Sequence, residues 1–250
     1  MTEPGERPTF EREWRRRFEA RASRFEADHA VSGWSDAGLR RRLAVFDGLL
    51  DEGWLPAGQR VLELGCGAGT YVRLLAKAGH RVVGLDYSRP SLGRALAADP
   101  AGAGRYLAAE AYALPFAAGA FDAVLCIGVL QALAQPERAL AEMARVLAPG
   151  GRALVETLNP WSPLAAWRRL SSGARRQATR LTYCAPQRVE RALRGAGLHA
   201  FRHVAVLVPP RSLPVAERAM GQAWVARAAR SVPGVRLIAP HAVWVLGSRS

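Results

Sequence analysis

Two hydrophobic rhythms divide the middle of the chain. Short, nearly continuous apolar runs, among them VLEL (61–64), VVGL (82–85) and AVLCI (123–127), alternate with longer stretches whose apolar positions recur every three to four residues. The pattern predicts strands at 60–64, 81–85, 104–108, 121–127 and 152–158. Between them it predicts helices at 70–78, 89–98 and 136–146, with PGG (149–151) turning into the fifth strand. Repeated β–α units of this length imply a parallel sheet with helices on both faces. The continuous apolar runs fit strands buried on both sides.

The flanks differ. Residues 9–30 read as an amphipathic helix rich in Glu–Arg pairs at helical spacing, with Trp14, Phe18 and Phe25 on its apolar side. HAVSGWSDAG (29–38) reads as a loop and 37–53 as a second helix. After Asn159 the pattern gives a basic helix over 164–180, a helix over 186–195 ended by Gly195 and Gly197, and a strand over 200–208. An amphipathic helix over 214–230 and a final strand over 241–248 follow. No internal repeat or low-complexity linker interrupts the chain. One domain over 1–250 is therefore expected: an N-terminal helical cap (1–55), an α/β core (56–160) and a late segment (161–250).

Composition narrows the class. Half of the 250 residues are apolar, enough for a well-buried core. No apolar run approaches the roughly 20 residues that a membrane-spanning helix needs. The charged start MTEPGERPTFEREWRRRFEA lacks the apolar stretch of a secretory signal, so a soluble, cytoplasmic protein is expected. Cys66, Cys126 and Cys184 lie far apart, which suggests neither a disulfide framework nor a metal site. The net charge is +14, and almost all of it lies late: residues 157–250 hold 15 Arg against Glu190 and Glu217 alone. Such a field can attract anionic ligands or an anionic membrane surface, so peripheral membrane contact through the basic last third is one reading of it.

The chemistry gathers at predicted strand ends. VLELGCGAGT (61–70) carries Gly65, Gly67 and Gly69 in G-x-G-x-G spacing, which lets backbone pass close to a ligand. It is neither the G-x-G-x-x-G dinucleotide fingerprint nor a phosphate loop, because no lysine precedes Thr70. Glu63 would repel a phosphate but could hold a cation or accept hydrogen bonds from an amine. Asp86 ends VVGLD, where a carboxylate can accept both hydroxyls of a ribose. Glu110 follows the third strand, and FDAVLCIGVL leaves the fourth into a loop. In a parallel sheet these ends share one edge, where such sheets bind ligands.

With VLELGCGAGT, VVGLDYS, AEAYALPF, FDAVLCIGVL and RVLAPGGRALVE in this order, the chain resembles the class I S-adenosylmethionine-dependent methyltransferases, nearest to their type 11, small-molecule branch. The resemblance covers roughly residues 40–158. It implies a Rossmann-like, doubly wound sheet of seven strands, mostly parallel, the last two forming an antiparallel hairpin. It implies S-adenosyl-L-methionine as cofactor. Glu63 would anchor its amino end, with Gly65, Cys66, Gly67 and Gly69 passing against it. Asp86 would accept the ribose hydroxyls, and Tyr87 would pack on the adenine. Glu110, where the family usually has Asp, would accept from the adenine amine beside Ala111. Cys126, Ile127 and Gly128 would flank the methionine portion. Where the family often places a His pair, this chain has Gln131 and Ala132.

Beyond the motifs, His29 and Tyr183 are candidates for a base, and Trp34, Gln131, Asn159 and Tyr183 for contact with a small-molecule methyl acceptor. The basic last third and its Trp- and Leu-bearing helices lean toward an apolar or anionic acceptor such as a lipid, a quinone-like ring or a natural-product intermediate. RNA methylation and cofactor binding without turnover are the competing readings. The first lacks a separate RNA-binding module and an N-P-P-[YF] motif after the fourth strand, so nucleic acid is not the expected partner.

Overall fold

A computed structural model of the chain describes residues 9–162, 165–166, 181–206 and 242–249. The helices expected over 164–180 and 214–230 fall almost wholly outside these residues.

Among the described residues seven strands form one sheet in the order β3-β2-β1-β4-β5-β7-β6. They are β1 (Arg60–Leu64), β2 (Arg81–Asp86), β3 (Arg105–Ala108), β4 (Phe121–Cys126), β5 (Leu147–Leu158), β6 (Leu198–Val206) and β7 (Ala242–Arg249). Strands β1 to β5 pair in parallel, and β7 runs antiparallel between β5 and β6. Parallel pairing forces a crossover between successive strands; helices α4 (Thr70–Lys77), α5 (Arg89–Ala97) and α6 (Pro136–Val146) supply three of the four, and a loop joins β3 to β4. Three further helices precede β1, namely α1 (Thr9–Arg24), α2 (Asp28–Val31) and α3 (Asp36–Asp51), and α7 (Pro186–Gly195) precedes β6.

The apolar runs are buried from both sides because successive side chains alternate faces. Val61 of β1 and Ala123 and Leu125 of β4 pack with Phe46 of α3, Val72 and Leu75 of α4 and Leu92 of α5. Leu62, Leu64, Val124 and Cys126 point the other way, onto Leu140 and Met143 of α6 and Val189 and Leu193 of α7. Glu63 shares the parity of Val61, so it projects toward the α3–α4 side, just short of the strand end.

Two local expectations are corrected. Residues 29–38 are not all loop: Asp28–Val31 forms a helical turn, and Ser35 caps α3 by accepting from Gly38 N at 3.0 Å. The turn is tied down because the Asp28 carboxylate accepts from Thr70 Oγ1 and Arg73 Nη2 of α4. The PGG segment does not simply precede β5. It lies within it, as a bulge between the pairs Phe121–Leu147 and Ala123–Arg152.

One buried ion pair fixes α3 to the sheet. Arg42 Nε and Nη2 donate to the two carboxylate oxygens of Glu156 in β5 at 2.7 and 2.9 Å, and Trp244 Nε1 of β7 donates to the same group at 2.8 Å. Arg42 and Glu156 are 3% and 0% exposed, so neither charge has water to fall back on. Arg42→Met would leave the Glu156 charge buried with only the Trp244 N–H, a loss of about 3–5 kcal/mol in urea unfolding. The double variant Arg42→Met/Glu156→Gln should lose less, since a neutral amide still accepts from Trp244. An equal or larger loss in the double variant would show that the charge pairing is not what holds α3.

Candidate active site

The site lies at the C-terminal ends of β1, β2 and β4, roofed by α1 and the α2–α3 connection. The glycine loop after β1 is pinned to β2 by its own backbone: Gly65 N and Cys66 N both donate to Leu85 O, at 2.7 and 3.0 Å. Gly65 has φ +75° and no room for a side chain, since a Cβ there would meet Val129 Cγ2 at 2.3 Å. On the facing loop, a Cβ at Gly128 (φ +76°) would meet Trp34 Cζ2 at 2.5 Å. Trp34 therefore lies directly against the backbone that leaves β4. Its ring is held from behind by the Arg42 guanidinium, 4.3 Å from the ring centroid.

Besides Glu11 of α1, three carboxylates from the sheet side face this cavity, in three different states. Asp86 is buried, and each of its oxygens has one backbone donor: Oδ2 accepts from Gly67 N at 2.9 Å and Oδ1 from Ser88 N at 2.8 Å. Burial holds its carboxyl above the ordinary range and Glu110 adds to that, with these two N–H groups and nearby Arg15 opposing it. Glu63 is 3% exposed, and its Oε2 has no hydrogen-bond partner. Burial pushes its carboxyl well above the ordinary range, and the charges of Asp86 and Asp28 add to that; the Val72 N–H and Arg73 oppose it. Glu110 is the most exposed of the three, and it accepts from Arg15 Nη2 of α1 at 2.7 Å.

Of the residues singled out from the sequence, Glu63, Gly65, Cys66 and Gly67 line the cavity from β1. Asp86, Tyr87, Glu110 and Ala111 line it from β2 and the loop after β3, and Ile127, Gly128 and Trp34 complete that group. Others stand behind the wall. Gly69 adopts the left-handed conformation that starts α4, and Cys126 is fully enclosed in the core. Gln131 turns back to donate from Nε2 to Gly128 O at 2.6 Å. Asn159 is buried, with its side-chain oxygen accepting from Trp161 N at 3.0 Å, and Tyr183 packs against the α3–α4 side of the core. The His29 ring is not part of the wall, although its carbonyl accepts from Trp34 N and so helps place that ring. Burial pushes the Cys66 thiol well up, which makes it a packing group rather than a nucleophile.

The structure adds wall residues that the sequence pattern did not single out as site residues. Glu11, Trp14, Arg15 and Phe18 of α1 face the cavity, as do Ser32, Tyr71, Val129 and Leu133. One signal for α1 was present: Trp14 and Phe18 stand four apart on an otherwise highly charged helix, and their rings stack at 5.2 Å.

The comparisons agree with this geometry. Residues 62–155 match the family model described as a methyltransferase domain. A demethylmenaquinone methyltransferase from Thermus thermophilus is 41% identical over 130 residues, covering 50% of this chain and 56% of that protein. A ubiquinone biosynthesis O-methyltransferase from Aromatoleum aromaticum is 36% identical over 107 residues, covering 41% of this chain and 45% of that protein. The chain thus spans about half the length of these relatives. Among solved structures, magnesium protoporphyrin IX methyltransferase from Synechocystis with bound S-adenosylhomocysteine superposes with a TM-score of 0.62, covering 89% of this chain and 86% of that one at 18% identity. Over residues 62–155 the chain is thus similar to a methyltransferase domain, and its fold is that of solved S-adenosylmethionine-dependent methyltransferases.

The unmatched Glu63 oxygen is an observation that the cofactor's chemistry fits, because an ammonium group would supply the missing donor. It also fixes a pH sign. The folded Glu63 keeps its proton to higher pH than an exposed carboxyl, so this group's contribution opposes folding as pH rises from the ordinary carboxylate range toward its raised value. A cation at Oε2 reverses the preference, and binding then releases a proton. Titrating S-adenosylhomocysteine in buffers of different ionisation enthalpy should show that release. Glu63→Gln should bind roughly tenfold more weakly and lose the Glu63 share of the release. Proton release identical in both chains would exclude Glu63 as the responsive group.

Proposed function

We propose that this chain transfers the methyl group of S-adenosyl-L-methionine to a small, largely apolar acceptor, as one domain acting in the cytoplasm. The observation that carries the acceptor class is the wall itself. Beyond the strand-end acids, Trp14, Phe18, Val31, Trp34, Tyr71, Val129 and Leu133 supply its bulk, with Glu11, Ser32, Thr70 and Tyr112 as polar members. Arg15 is the one basic side chain among the described lining residues, and it is already paired with Glu110. This favours an apolar ring or chain over an anionic acceptor, and the quinone-directed names of the sequence relatives point the same way.

When bound, S-adenosylmethionine supplies an activated methyl group on a sulfonium. The chain's own work is then to hold and align. Glu63 receives the amino end, Asp86 the ribose hydroxyls, and Tyr87 with Glu110 the adenine. Asp86 is preorganised for this, because its two backbone donors set its orientation and leave acceptor capacity on each oxygen. Trp34, braced by Arg42 against Gly128, helps form a wall that excludes water at the methionine end. In-line transfer depends chiefly on that alignment.

No histidine or lysine lies among the described lining residues. Tyr71 keeps its proton, since burial pushes its hydroxyl well up. The acceptor that suits such a wall needs no strong base: an apolar ring whose hydroxyl is acidic enough to lose its proton to water as the methyl arrives, or the electron-rich carbon beside that hydroxyl. His29 and Tyr183 have no place in this scheme, and neither do Gln131 and Asn159 as direct acceptor contacts.

Calorimetry of the full chain with S-adenosylmethionine tests the reading. Binding should occur, and Asp86→Ala should weaken it about 10–100-fold, because the variant loses charge-assisted hydrogen bonds to the ribose and frees the Gly67 loop. Absence of binding in the wild type, or undiminished binding in Asp86→Ala, would rule the assignment out.

A further inference from the structure

Helix α1 closes one side of the cavity, and its Arg15 lies on the two residues that the reading above gives to adenine. The guanidinium carbon is 4.1 Å from the centroid of the Tyr87 ring. Each stacked contact takes roughly 3.5–4 Å, so no second planar group fits between them. The same guanidinium donates through Nη2 to Glu110 Oε1 at 2.7 Å. One side chain thus covers both the aromatic face and the carboxylate acceptor of the subsite.

The match is chemical as well as spatial. A guanidinium is planar, stacks on aromatic faces and carries N–H donors in its plane. Adenine offers the same two features, a flat π face and an exocyclic amine that donates to a carboxylate. Arg15 also carries the charge that Asp86 and Glu110 lack. The two carboxylates oppose each other's ionisation, and Arg15 favours that of Asp86.

Around Arg15, α1 is fastened elsewhere. Glu11 accepts from Tyr112 Oη and from Ala134 N, and Arg94 of α5 donates through Nε to Ala22 O at 2.9 Å. These contacts allow the helix to stay docked while one side chain swings. The Arg15–Glu110 pair itself is partly solvated, at 25% and 42% side-chain exposure, which keeps it weak enough to exchange.

We infer that Arg15 is a built-in competitor for the adenine subsite: it holds the Tyr87 face and Glu110 until a nucleoside displaces it, and so sets cofactor affinity. The inference rests on the assignment of Tyr87 and Glu110 to adenine made above. It treats Arg15 as a group displaced on binding, not as a ligand of the bound cofactor.

Calorimetric titration of the full chain with S-adenosylhomocysteine and with adenosine distinguishes these roles. Removing a competitor raises the competent fraction, so Arg15→Ala should bind both about three- to tenfold more tightly than wild type. Arg15→Gln, which keeps the length but not the charge, should follow it and carries the test if the alanine variant melts early. Added salt should narrow the gap, since it screens the pair only in the wild type. Weaker binding by both variants would make Arg15 part of the bound site, and equal binding would make it a bystander; either overturns the inference while leaving the cofactor reading intact. No heat from any of the chains would overturn the cofactor reading and the inference with it.

Discussion

The site is organised by a single carboxylate. Asp86 ends β2 in a dry setting, where an ionised group is costly unless its oxygens are satisfied. The chain satisfies them with its own backbone, Gly67 N on one side and Ser88 N on the other. Hydrogen bonds to a charged group contribute about 1.5–3 kcal/mol each, enough to make the loop conformation that supplies them the preferred one. The consequences spread along both segments. Gly67 held toward Asp86 leaves Gly69 to turn left-handed and begin α4, while the residue that donates from the other side, Ser88, is also the cap of α5, accepting from Ser91 N at 3.2 Å. The β1–β2 register, with Glu63 opposite Gly84 and Leu64 opposite Leu85, puts Asp86 just beyond the end of β1, at the glycine loop.

Seen together, the three acids form a graded series rather than a uniform negative patch. Asp86 is matched by backbone, Glu110 by the partly exposed Arg15 of α1, and Glu63 has one oxygen without a hydrogen-bond partner. Each state implies a different demand. A carboxylate with fixed donors is oriented and ready to accept hydroxyls. A carboxylate paired with a partly exposed cation can exchange partners at low cost. A buried carboxyl with an unsatisfied oxygen responds most strongly to an arriving positive charge, because the low-dielectric surroundings amplify it.

Much of this was legible in the chain, for identifiable reasons. VLEL, VVGL and AVLCI are apolar at both parities, so they had to be two-sided strands, and parallel strands bring Glu63, Asp86 and Gly128 to one edge. The glycine spacing marked the loop because it departs from the phosphate and dinucleotide patterns. The α1 contribution was not legible. Amphipathic periodicity assigns Trp14 and Phe18 to packing without saying whether they meet core or cavity, and local spacing offers Arg15 two partners, Glu11 and Glu19, four residues either way. Such helical pairs are worth only a few tenths of a kcal/mol. In the fold Arg15 reaches Glu110 and Glu11 reaches Tyr112, so tertiary partners displaced the local ones. The helical turn at Asp28 was hidden for the same reason: what stabilises it is Thr70 and Arg73, forty-odd residues away.

Under the proposed reading, net charge says little about the acceptor. The basic excess belongs to the last third of the chain, and three of its five described arginines are paired at the periphery: Arg188 with Glu137, Arg194 with Glu190 and Arg202 with Glu52. None of these arginines lines the cavity. Side chains this exposed act through a screened field that fades over about 10 Å, so they influence what approaches the molecule rather than what the cavity selects. On the proposed reading selection follows from the wall, whose one cation, Arg15, is paired with Glu110 and whose Glu11 is held by Tyr112 and Ala134 N. A large positive charge on the chain and an apolar acceptor in the cavity are therefore compatible, because they belong to different surfaces and act over different distances.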